Sequence, residues 1–177
     1  GNYYCDANRV GGEWCYEMDS FEGNEHVMQV TAHRCEGAPD EHNVRCDKAG
    51  AFRNSALEHL LGRGPKALCP ADDCVVDTRK PFRMTQSFVM DAGGNLVRIE
   101  NQVLQNGRTL RLNGTEDRAY LASMAPALRD GMVLTFQVWG GSWLLMSWLD
   151  AWSFCRGACP ESSYAVFSDV AINTITG

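Results

Sequence analysis

Short segments in which apolar and polar residues alternate recur along the chain, separated by turn residues, and this pattern is typical of half-buried β-strands. The clearest cases are residues 13–21 and 26–33, which we expect to pair as antiparallel neighbours. Further strands are predicted over residues 84–90, 96–104, 109–112, 132–139, 143–149 and 164–172. Residues 91–95 are predicted to join the first two of these as a hairpin, and Asn106-Gly107 is a tight-turn signal that returns the chain to the third. Many antiparallel strands with few helices predict an all-β protein built as a β-sandwich.

Helical signals are confined to two short segments. Ser55 is a predicted N-cap for a helix over residues 56–61, which Gly62 ends. Thr115 is a predicted N-cap for a second helix that runs toward Arg129, with Pro126 either kinking it or moving its start. The polar segments 34–54 and 65–83 are predicted to be irregular.

Residues 131–149 carry no charged side chain and are long enough to raise the question of a membrane span. Gly140-Gly141 interrupts the segment, and Gln137, Ser142 and Ser147 lie within it. We therefore expect two buried strands joined at the glycines and no membrane span.

The length and charge of the chain restrict its function. The 177 residues suit one domain, so residues 1–177 are treated as a single unit. The formal net charge is −6, and the lysines and arginines are scattered. A nucleic-acid partner is not expected, because nucleic-acid-binding surfaces are basic. A neutral substrate such as a polysaccharide suits this acidic balance.

The eight cysteines fall into four couples that are close in sequence, which favours disulfides and an oxidising or extracellular location. Structural zinc is the alternative, but no couple has the CxxC spacing of a zinc knuckle. Asn113-Gly114-Thr115 is an acceptor sequence for N-glycosylation and agrees with a secreted protein. The couples are Cys5 and Cys15, Cys35 and Cys46, Cys69 and Cys74, and Cys155 and Cys159.

Three carboxylates lie in a six-residue segment, from position 17 to position 22, at the end of the first predicted strand. Glu17 and Asp19 share one face of a strand, whereas Glu22 falls on the other face unless a β-bulge near Ser20 and Phe21 restores its direction. A retaining glycoside hydrolase uses two carboxylates on the floor of its cleft, one as nucleophile and one as acid/base, and here a third could hold one of them in place. A solvated strand or helix face is the alternative interpretation of this spacing.

Several segments resemble glycoside hydrolase family seven, the fungal-type cellobiohydrolases and endoglucanases. The active-site strand of that family reads C-S-E-M-D-I-W-E-A-N and is followed by P-H-P-C; the corresponding segments here are Cys15-Tyr16-Glu17-Met18-Asp19-Ser20-Phe21-Glu22-Gly23-Asn24 and Ala32-His33-Arg34-Cys35. Other family motifs, in the same order, resemble Tyr4-Cys5-Asp6, Thr85-Gln86-Ser87-Phe88, Gly131-Met132-Val133-Leu134, Trp148-Leu149-Asp150 and Arg156-Gly157-Ala158-Cys159.

The resemblance implies a concanavalin-like jelly roll and a retaining β-1,4-glucanase without a cofactor or metal. It makes Glu17 the nucleophile, Asp19 the residue that orients it, and Glu22 the acid/base. His33 would support these carboxylates, although a single histidine is more often a structural residue. The residues that the resemblance places against the sugar chain are Trp139, Trp148, Trp143 and Arg156, with Trp143 the weakest match.

The chain also departs from the family, whose domain is roughly twice as long. The upstream half of the sandwich is absent, so we expect an incomplete jelly roll that an amino-terminal half or a partner chain completes. The short interval from Cys35 to Cys46 implies an open, endo-acting cleft. The rival interpretation is a noncatalytic module that binds glucan or serves as a structural subunit of a larger assembly.

Overall fold

The computed structural model describes residues 4–38, 44–140, 143–150 and 162–171, with the side chains of residues 143 and 145 left undescribed. Most of the ordered structure is antiparallel sheet. The strands and helices in chain order are β1 (Glu17–Gly23), β2 (Met28–His33), β3 (Ala51–Asn54), α1 (Ser55–Leu60), β4 (Leu68–Cys69), β5 (Val76–Asp77), β6 (Arg83–Met90), β7 (Leu96–Gln105), β8 (Arg108–Arg111), α2 (Arg118–Asp130) and α3 (Trp143–Met146). The predicted all-β class with short helices is confirmed.

The strands form two antiparallel three-stranded sheets, β1-β2-β3 and β6-β7-β8, and a short parallel pair, β4-β5. The predicted pairing of β1 with β2 and the predicted β6-β7 hairpin are confirmed. Between β7 and β8, Asn106 and Gly107 both have positive φ angles, of 49° and 76°. This is the turn that a two-residue antiparallel hairpin requires, so the predicted third strand also follows.

The two larger sheets pack against each other through β2 and β7. Met28 and Val30 of β2 share one apolar cluster with Val103 of β7, and Met18 of β1 packs against the same cluster. A second cluster joins the end of β2 to helix α2, whose Leu121 and Met124 are fully buried. One face of the β1-β2-β3 sheet is therefore the core face, and the other is free to carry polar side chains.

The N-caps of the two predicted helices differ from the predicted residues, by one position in α1 and by two in α2. Asn54, not Ser55, caps α1, because its side-chain oxygen accepts the first free backbone N–H groups of the helix. Ser55 is buried, and its hydroxyl oxygen accepts a hydrogen bond from the Met28 N–H at 3.0 Å. Asp117, not Thr115, caps α2, and Pro126 lies inside that helix. Proline has no N–H to donate to the helix, but burial of the apolar face of α2 stabilises the helix without that hydrogen bond.

The two predicted loops contain short strands. β3 falls in the segment predicted as a surface loop, and it pairs with β2 at the open edge of the sheet. β4 and β5 fall in the second irregular segment and pair in parallel over two residues each. Strands of two to four residues show too little alternation to be recognised from sequence.

The carboxyl-terminal strands were predicted wrongly. Residues 132–139 and 164–171 are described without a strand assignment, and the predicted strand over residues 143–149 is replaced by α3 and a turn that follows it. Val133 and Val166 are 89% and 79% exposed, so these segments are not buried. Among the described residues, neither segment pairs with another strand. Alternation of apolar and polar residues does not form a strand unless a partner strand is present.

Three of the predicted disulfides are present: Cys5 with Cys15, Cys35 with Cys46, and Cys69 with Cys74. This excludes zinc thiolate ligands among those six cysteines and indicates an oxidising compartment. Cys155, Cys159 and Arg156 lie outside the described residues. Within the described ranges, none of the helices has the length and hydrophobicity needed to cross a membrane.

Candidate active site

The three carboxylates of β1 lie opposite three buried polar residues of β2. In the antiparallel register, Glu17 pairs with His33, Asp19 with Thr31, and Glu22 with Gln29. From the second pair to the third, β1 advances by three residues and β2 by only two. This register shift is the β-bulge predicted from the sequence. The three acids consequently share the face opposite Met18.

Asp19 and His33 form the charged pair of the site. The Asp19 Oδ2 lies 3.0 Å from the His33 Nε2, and the Nδ1 of the same ring lies 2.8 Å from the backbone oxygen of Asp47. Burial lowers the pKa of His33, but its hydrogen bonds to Asp19 and Asp47 outweigh burial and raise that pKa to about 9. Both ring nitrogens face acceptors, so both carry a proton and the imidazolium neutralises Asp19.

Glu17 accepts a hydrogen bond of 2.9 Å at Oε2 from the backbone N–H of Ala7. The pKa of Glu17 is raised, because burial and the charge of Asp19 outweigh the Ala7 N–H and the charge of His33, which lower it. Tyr4 belongs to the same region, since burial, followed by the charges of Asp6 and Glu17, raises the pKa of its hydroxyl. Glu17 therefore has two fixed groups that favour its ionised form.

Glu22 lies beyond the bulge in a less polar environment. Burial first, and the charge of Asp19 second, raise its pKa to about 7. The Thr31 hydroxyl donates to the Glu22 Oε2 at 3.1 Å and opposes part of that rise. Near neutral pH, Glu22 is therefore partly protonated while the neighbouring His33 is charged, and a carboxyl group that keeps its proton at this pH is what acid catalysis requires.

The bulge is tied to the other large sheet by a row of side-chain amides. The hydroxyl of Ser20, within the bulge, donates to the Gln86 Oε1 at 2.6 Å. The Gln86 Nε2 donates to the Asn101 Oδ1 at 2.8 Å, and the Asn101 Nδ2 donates to the backbone oxygen of Leu112 at 3.0 Å. This anchorage holds the bulge against β6 and β7 and so maintains the direction of Glu22.

Residues that sequence reasoning did not identify support the histidine. A Cβ on Gly50 would lie 2.7 Å from the His33 Nδ1, and Gly50 has a positive φ of 67°, so only glycine lets the chain approach the ring so closely. The Tyr120 hydroxyl donates to the Asp47 Oδ2 at 2.9 Å, and lies 3.0 Å from the Ala32 carbonyl oxygen. Gly50 lies four residues after Cys46 and directly before β3, but no local signal marks Tyr120.

The predicted sugar-binding aromatics are only partly described. Trp139 and Trp148 stack on each other, with ring centroids 6.0 Å apart and planes 12° apart, and both remain partly exposed. Asp150, close to Trp148 in the chain, accepts a hydrogen bond of 2.7 Å from the Asn24 amide, which follows β1. This contact connects the tryptophan region to the end of the active-site strand. The side chains of Trp143 and Arg156 are not among those described.

Two groups of described residues have the spacing of metal ligands. Glu17, Asp19 and His33 have ligand atoms within 4.8 Å of one another, as do Cys69, Asp73 and Cys74. In the first group both nitrogens of His33 face hydrogen-bond acceptors, and in the second the cysteines are joined as a disulfide. His33 therefore offers no free lone pair in the first group, and the cysteines offer no thiolate in the second.

No family model matches the chain. It is 33% identical to endoglucanase EG-1 of Hypocrea jecorina over 178 residues, which cover 85% of this chain and 36% of that protein. It is 30% identical to the probable endo-β-1,4-glucanase celB of Aspergillus terreus over 200 residues, covering 85% of this chain and 45% of that protein. The chain thus spans less than half the length of these curated relatives.

Among solved structures, the native endocellulase EGI of Humicola insolens matches with a TM-score of 0.71 at 22% identity, over 90% of this chain and 50% of that one. An endoglucanase I complexed with cellobiose matches with a TM-score of 0.67 at 20% identity, over 85% of this chain and 44% of that one. Over the segment that it spans, the chain therefore has the β-sandwich jelly-roll fold of these endoglucanase structures and is similar in sequence to named endoglucanases.

Proposed function

We propose that this chain carries the catalytic strand of a retaining β-1,4-glucanase of glycoside hydrolase family seven, with Glu17, Asp19 and Glu22 as its active carboxylates. The observation that supports the proposal best is the β-bulge between Asp19 and Glu22, which turns all three acids to one face of the sheet. The similarity to endoglucanases points to the same chemistry. Retaining hydrolysis needs an ionised nucleophile and a protonated acid about 5–5.5 Å apart.

In the first step, a carboxylate oxygen of Glu17 attacks the anomeric carbon and forms a glycosyl ester. The bond from that carbon to the bridging oxygen breaks, and its electron pair takes the proton of Glu22, so the leaving sugar departs as an alcohol. Burial and the charge of Asp19 raise the pKa of Glu17, and the Ala7 N–H and the charge of His33 oppose that rise and so support the ionised form that this role needs. Glu22 suits the acid role because its burial favours the protonated form.

In the second step, the carboxylate of Glu22 removes a proton from water, and the water oxygen attacks the anomeric carbon. The ester bond to Glu17 breaks, the nucleophile regains its negative charge, and Glu22 regains its proton. Two inversions at one carbon give net retention of configuration. Each group returns to its starting protonation state, so no cofactor enters the cycle.

Asp19 and His33 position and neutralise the charges around the nucleophile. The doubly protonated His33 holds the Asp19 carboxylate at 3.0 Å, and this fixes the acid beside Glu17 on the same strand face. The Asp19 charge raises the pKa of both Glu17 and Glu22, and the His33 cation lowers both pKa values and so offsets part of that rise. His33 therefore lets three acids occupy one short strand.

The substrate that fits this proposal is a β-1,4-linked glucan chain, cut internally. Two relatives are named endoglucanases, and the short interval of 11 residues from Cys35 to Cys46 agrees with an open cleft. Trp139 and Trp148 remain proposed sugar-binding residues, because their rings are partly exposed near the chain that contacts Asn24. Trp143 and Arg156 keep the same proposed role, and the location that suits a glucanase with these disulfides is extracellular. N-glycosylation of Asn113 likewise remains a proposal.

The direct test is the turnover of an aryl β-cellobioside by Glu17→Gln. We expect turnover to fall by roughly 10⁴-fold or more, because the amide cannot form the glycosyl ester. Binding of the uncleaved glucan should stay close to that of the unmodified protein. Glu25→Gln is the matched control, since Glu25 lies in the turn between β1 and β2, is exposed and, among the described ion pairs, contacts only His26.

Equal turnover by Glu17→Gln and the unmodified protein would overturn the assignment of the nucleophile. If the unmodified protein bound glucan but showed no turnover, the noncatalytic glucan-binding or structural role would replace the enzymatic one. Proton NMR of the first product sugar gives a second criterion, because a retaining enzyme releases the β-anomer before mutarotation.

We also propose that further strands, supplied by an amino-terminal half or a partner chain, cover the segments at residues 131–140 and 162–171. Both expose large apolar side chains, and Phe136 and Phe167 contact each other with centroids 4.9 Å apart while each remains half exposed. Exposed apolar stretches of this kind mark interaction surfaces. Native mass measurement tests the proposal: a folded, monodisperse species of 19.6 kDa that buries no further chain would contradict it.

A further inference from the structure

A row of buried polar side chains crosses the first sheet and ends at Glu22. Glu22 of β1 lies opposite Gln29 of β2, and Gln29 lies opposite Asn54 of β3, so the three residues occupy one level of the sheet. Thr31 joins Gln29 to Glu22 by its hydroxyl. Gln29, Thr31 and Asn54 are only 5%, 1% and 2% exposed, and water therefore has little access to their polar atoms.

The orientation of Asn54 is fixed by backbone groups that cannot reverse their polarity. Its Oδ1 accepts hydrogen bonds from the N–H groups of Ala56 and Leu57 at 3.0 and 3.1 Å, where it caps helix α1. Its Nδ2 donates to the backbone oxygen of Leu149 at 2.7 Å. A backbone N–H only donates and a carbonyl only accepts, so the amide of Asn54 has one orientation.

The fixed amide of Asn54 determines the direction of the next two hydrogen bonds. Its Nδ2 also lies 2.9 Å from Gln29, so the atom that Gln29 presents to it must be the acceptor Oε1. The Gln29 Nε2 then faces Thr31 and donates to the Oγ1 at 3.1 Å. The Thr31 hydroxyl, which accepts this bond, directs its own proton to the Glu22 Oε2 at 3.1 Å.

We propose that Thr31, Gln29 and Asn54 are positioning residues that keep the acid proton of Glu22 on its Oε1. Because Oε2 receives the Thr31 proton, it serves as an acceptor in both protonation states of Glu22. If the Glu22 proton were on Oε2 and directed at Thr31, the buried Thr31 proton would lose its acceptor, and an unmade buried hydrogen bond is costly. This inference rests on the proposed role of Glu22 as the acid.

The chain of hydrogen bonds also restricts rotation of the Glu22 carboxyl group. A free carboxyl group exchanges its two oxygens by rotation, and the proton then faces the substrate only part of the time. With Oε2 held by Thr31, the same oxygen presents the proton in every turnover, which is the orientation that general acid catalysis needs. The other charged groups that act on Glu22 are Asp19, His33 and Glu17, and none of them replaces this donor.

The test compares Thr31→Val, which replaces the hydroxyl with a methyl group of similar size, with Thr31→Ser, which keeps the hydroxyl. Carbon-13 NMR of labelled glutamate carboxyl groups, with Glu22 assigned by Glu22→Gln, follows its titration in each purified protein. We expect Thr31→Val to raise the proton affinity of Glu22 about tenfold, because a donor to the ionised form is lost. Thr31→Ser should match the unmodified protein.

Kinetics on an unactivated cello-oligosaccharide provide the second measurement. We expect Thr31→Val to lower kcat about tenfold with little change in KM, because substrate contacts remain and only the acid is misdirected. Thr31→Ser should restore kcat. Thermal unfolding verifies that each variant folds, and Thr31→Ala supplies a second variant without the hydroxyl should the valine variant fail to fold.

An unchanged titration of Glu22 in the folded hydroxyl-free variants would overturn the proposal. The NMR titration requires no turnover, so its outcome stands apart from that of the proposed function. An inactive unmodified protein with a shifted Glu22 titration in Thr31→Val would refute the glucanase and retain the hydrogen-bonded chain.

Discussion

The two ends of strand β1 place chemically identical carboxyl groups in different surroundings. At one end, Glu17 receives a backbone N–H from Ala7 and lies near the cation of His33, and both favour its charge. At the other end, beyond the bulge, Glu22 is buried and receives one hydroxyl proton from Thr31, and the His33 charge lowers its pKa as well. Burial raises the pKa of both groups, and the donor that each receives distinguishes them.

The comparison shows that one strand can raise the pKa of two carboxyl groups while giving each a different donor. Asp19, between the two ends, raises the pKa of both groups, and the His33 cation lowers the pKa of both. The β-bulge keeps Glu22 on the face of Glu17, opposite Gln29. The two surroundings therefore differ in the donor, which is a backbone N–H at Glu17 and a hydroxyl at Glu22.

The largest effect on the reaction rate should come from Glu17→Gln and Glu22→Gln, compared on substrates whose leaving groups differ in their need for protonation. With 2,4-dinitrophenyl β-cellobioside, which needs little protonation, we expect Glu22→Gln to release a burst of about one dinitrophenol per protein, while Glu17→Gln releases none. With an unactivated cello-oligosaccharide, Glu22→Gln should lose roughly 10²–10⁴-fold in rate. Stopped-flow absorbance measures the burst, and a burst from Glu17→Gln would reverse the two roles.

A smaller effect should follow from removal of the positive charge with His33→Gln. The His33 charge lowers the pKa of Glu17, so its loss moves the acidic limb of the kcat/KM profile to higher pH. We expect activity near pH 5 to fall about 10- to 100-fold and to recover in part near pH 7, where more Glu17 is ionised.

The control for this substitution is His26→Gln, which removes an exposed histidine that pairs with Glu25. Its pH profile should match that of the unmodified protein. An acidic limb that stays in place in His33→Gln would show that the imidazolium does not set the protonation of Glu17.

The smallest effect should appear in stability. Glu22 has an ordinary pKa of 4.5 and a folded-state pKa of about 7, so the folded protein holds its proton more tightly than the unfolded chain. That contribution to stability is complete below about pH 4.5 and is lost as the pH rises through 7. Glu22→Gln does not titrate, so its free energy of unfolding relative to the unmodified protein should rise by about 1–3 kcal/mol between pH 4 and pH 9.

Urea unfolding at a series of pH values measures this difference. The same series on Glu25→Gln, whose carboxyl group is exposed, should give a difference that does not depend on pH. A difference for Glu22→Gln that also stays constant would mean that Glu22 titrates alike in the folded and unfolded chains.

The parts of the fold that could be predicted from sequence depend on local signals. The β6-β7 hairpin and the Asn106-Gly107 turn follow from turn residues beside alternating segments, and the three described disulfides follow from closeness in sequence. Residues 132–139 alternate as well, yet they form no strand in the described structure, because a strand needs a partner that composition does not supply. Strand β3 shows the reverse, since its four residues are ordered by pairing with β2.

The candidate site likewise has one feature that local sequence predicts and others that it does not. The direction of Glu22 was predicted because alternation fails there by one residue, and a bulge is the simplest repair. The contributions of Asp47, Tyr120 and Gln29 were not predictable, because each depends on which residues meet across strands or on a helix far along the chain. Cross-strand neighbours follow from register, and no local pattern in these segments specifies register to a single residue.

The bulge in β1 has a consequence for how this protein can change over evolutionary time. The segment between Asp19 and Glu22 has one residue more than plain alternation allows, and the bulge absorbs that residue so that both acids keep one face. Deleting Ser20 or Phe21 would restore plain alternation and leave Glu22 on the same face of a regular strand. Many substitutions at the exposed Phe21 would leave the bulge intact. Related sequences should therefore vary at position 21, and a related sequence that is one residue shorter here would keep its acids on one face without a bulge.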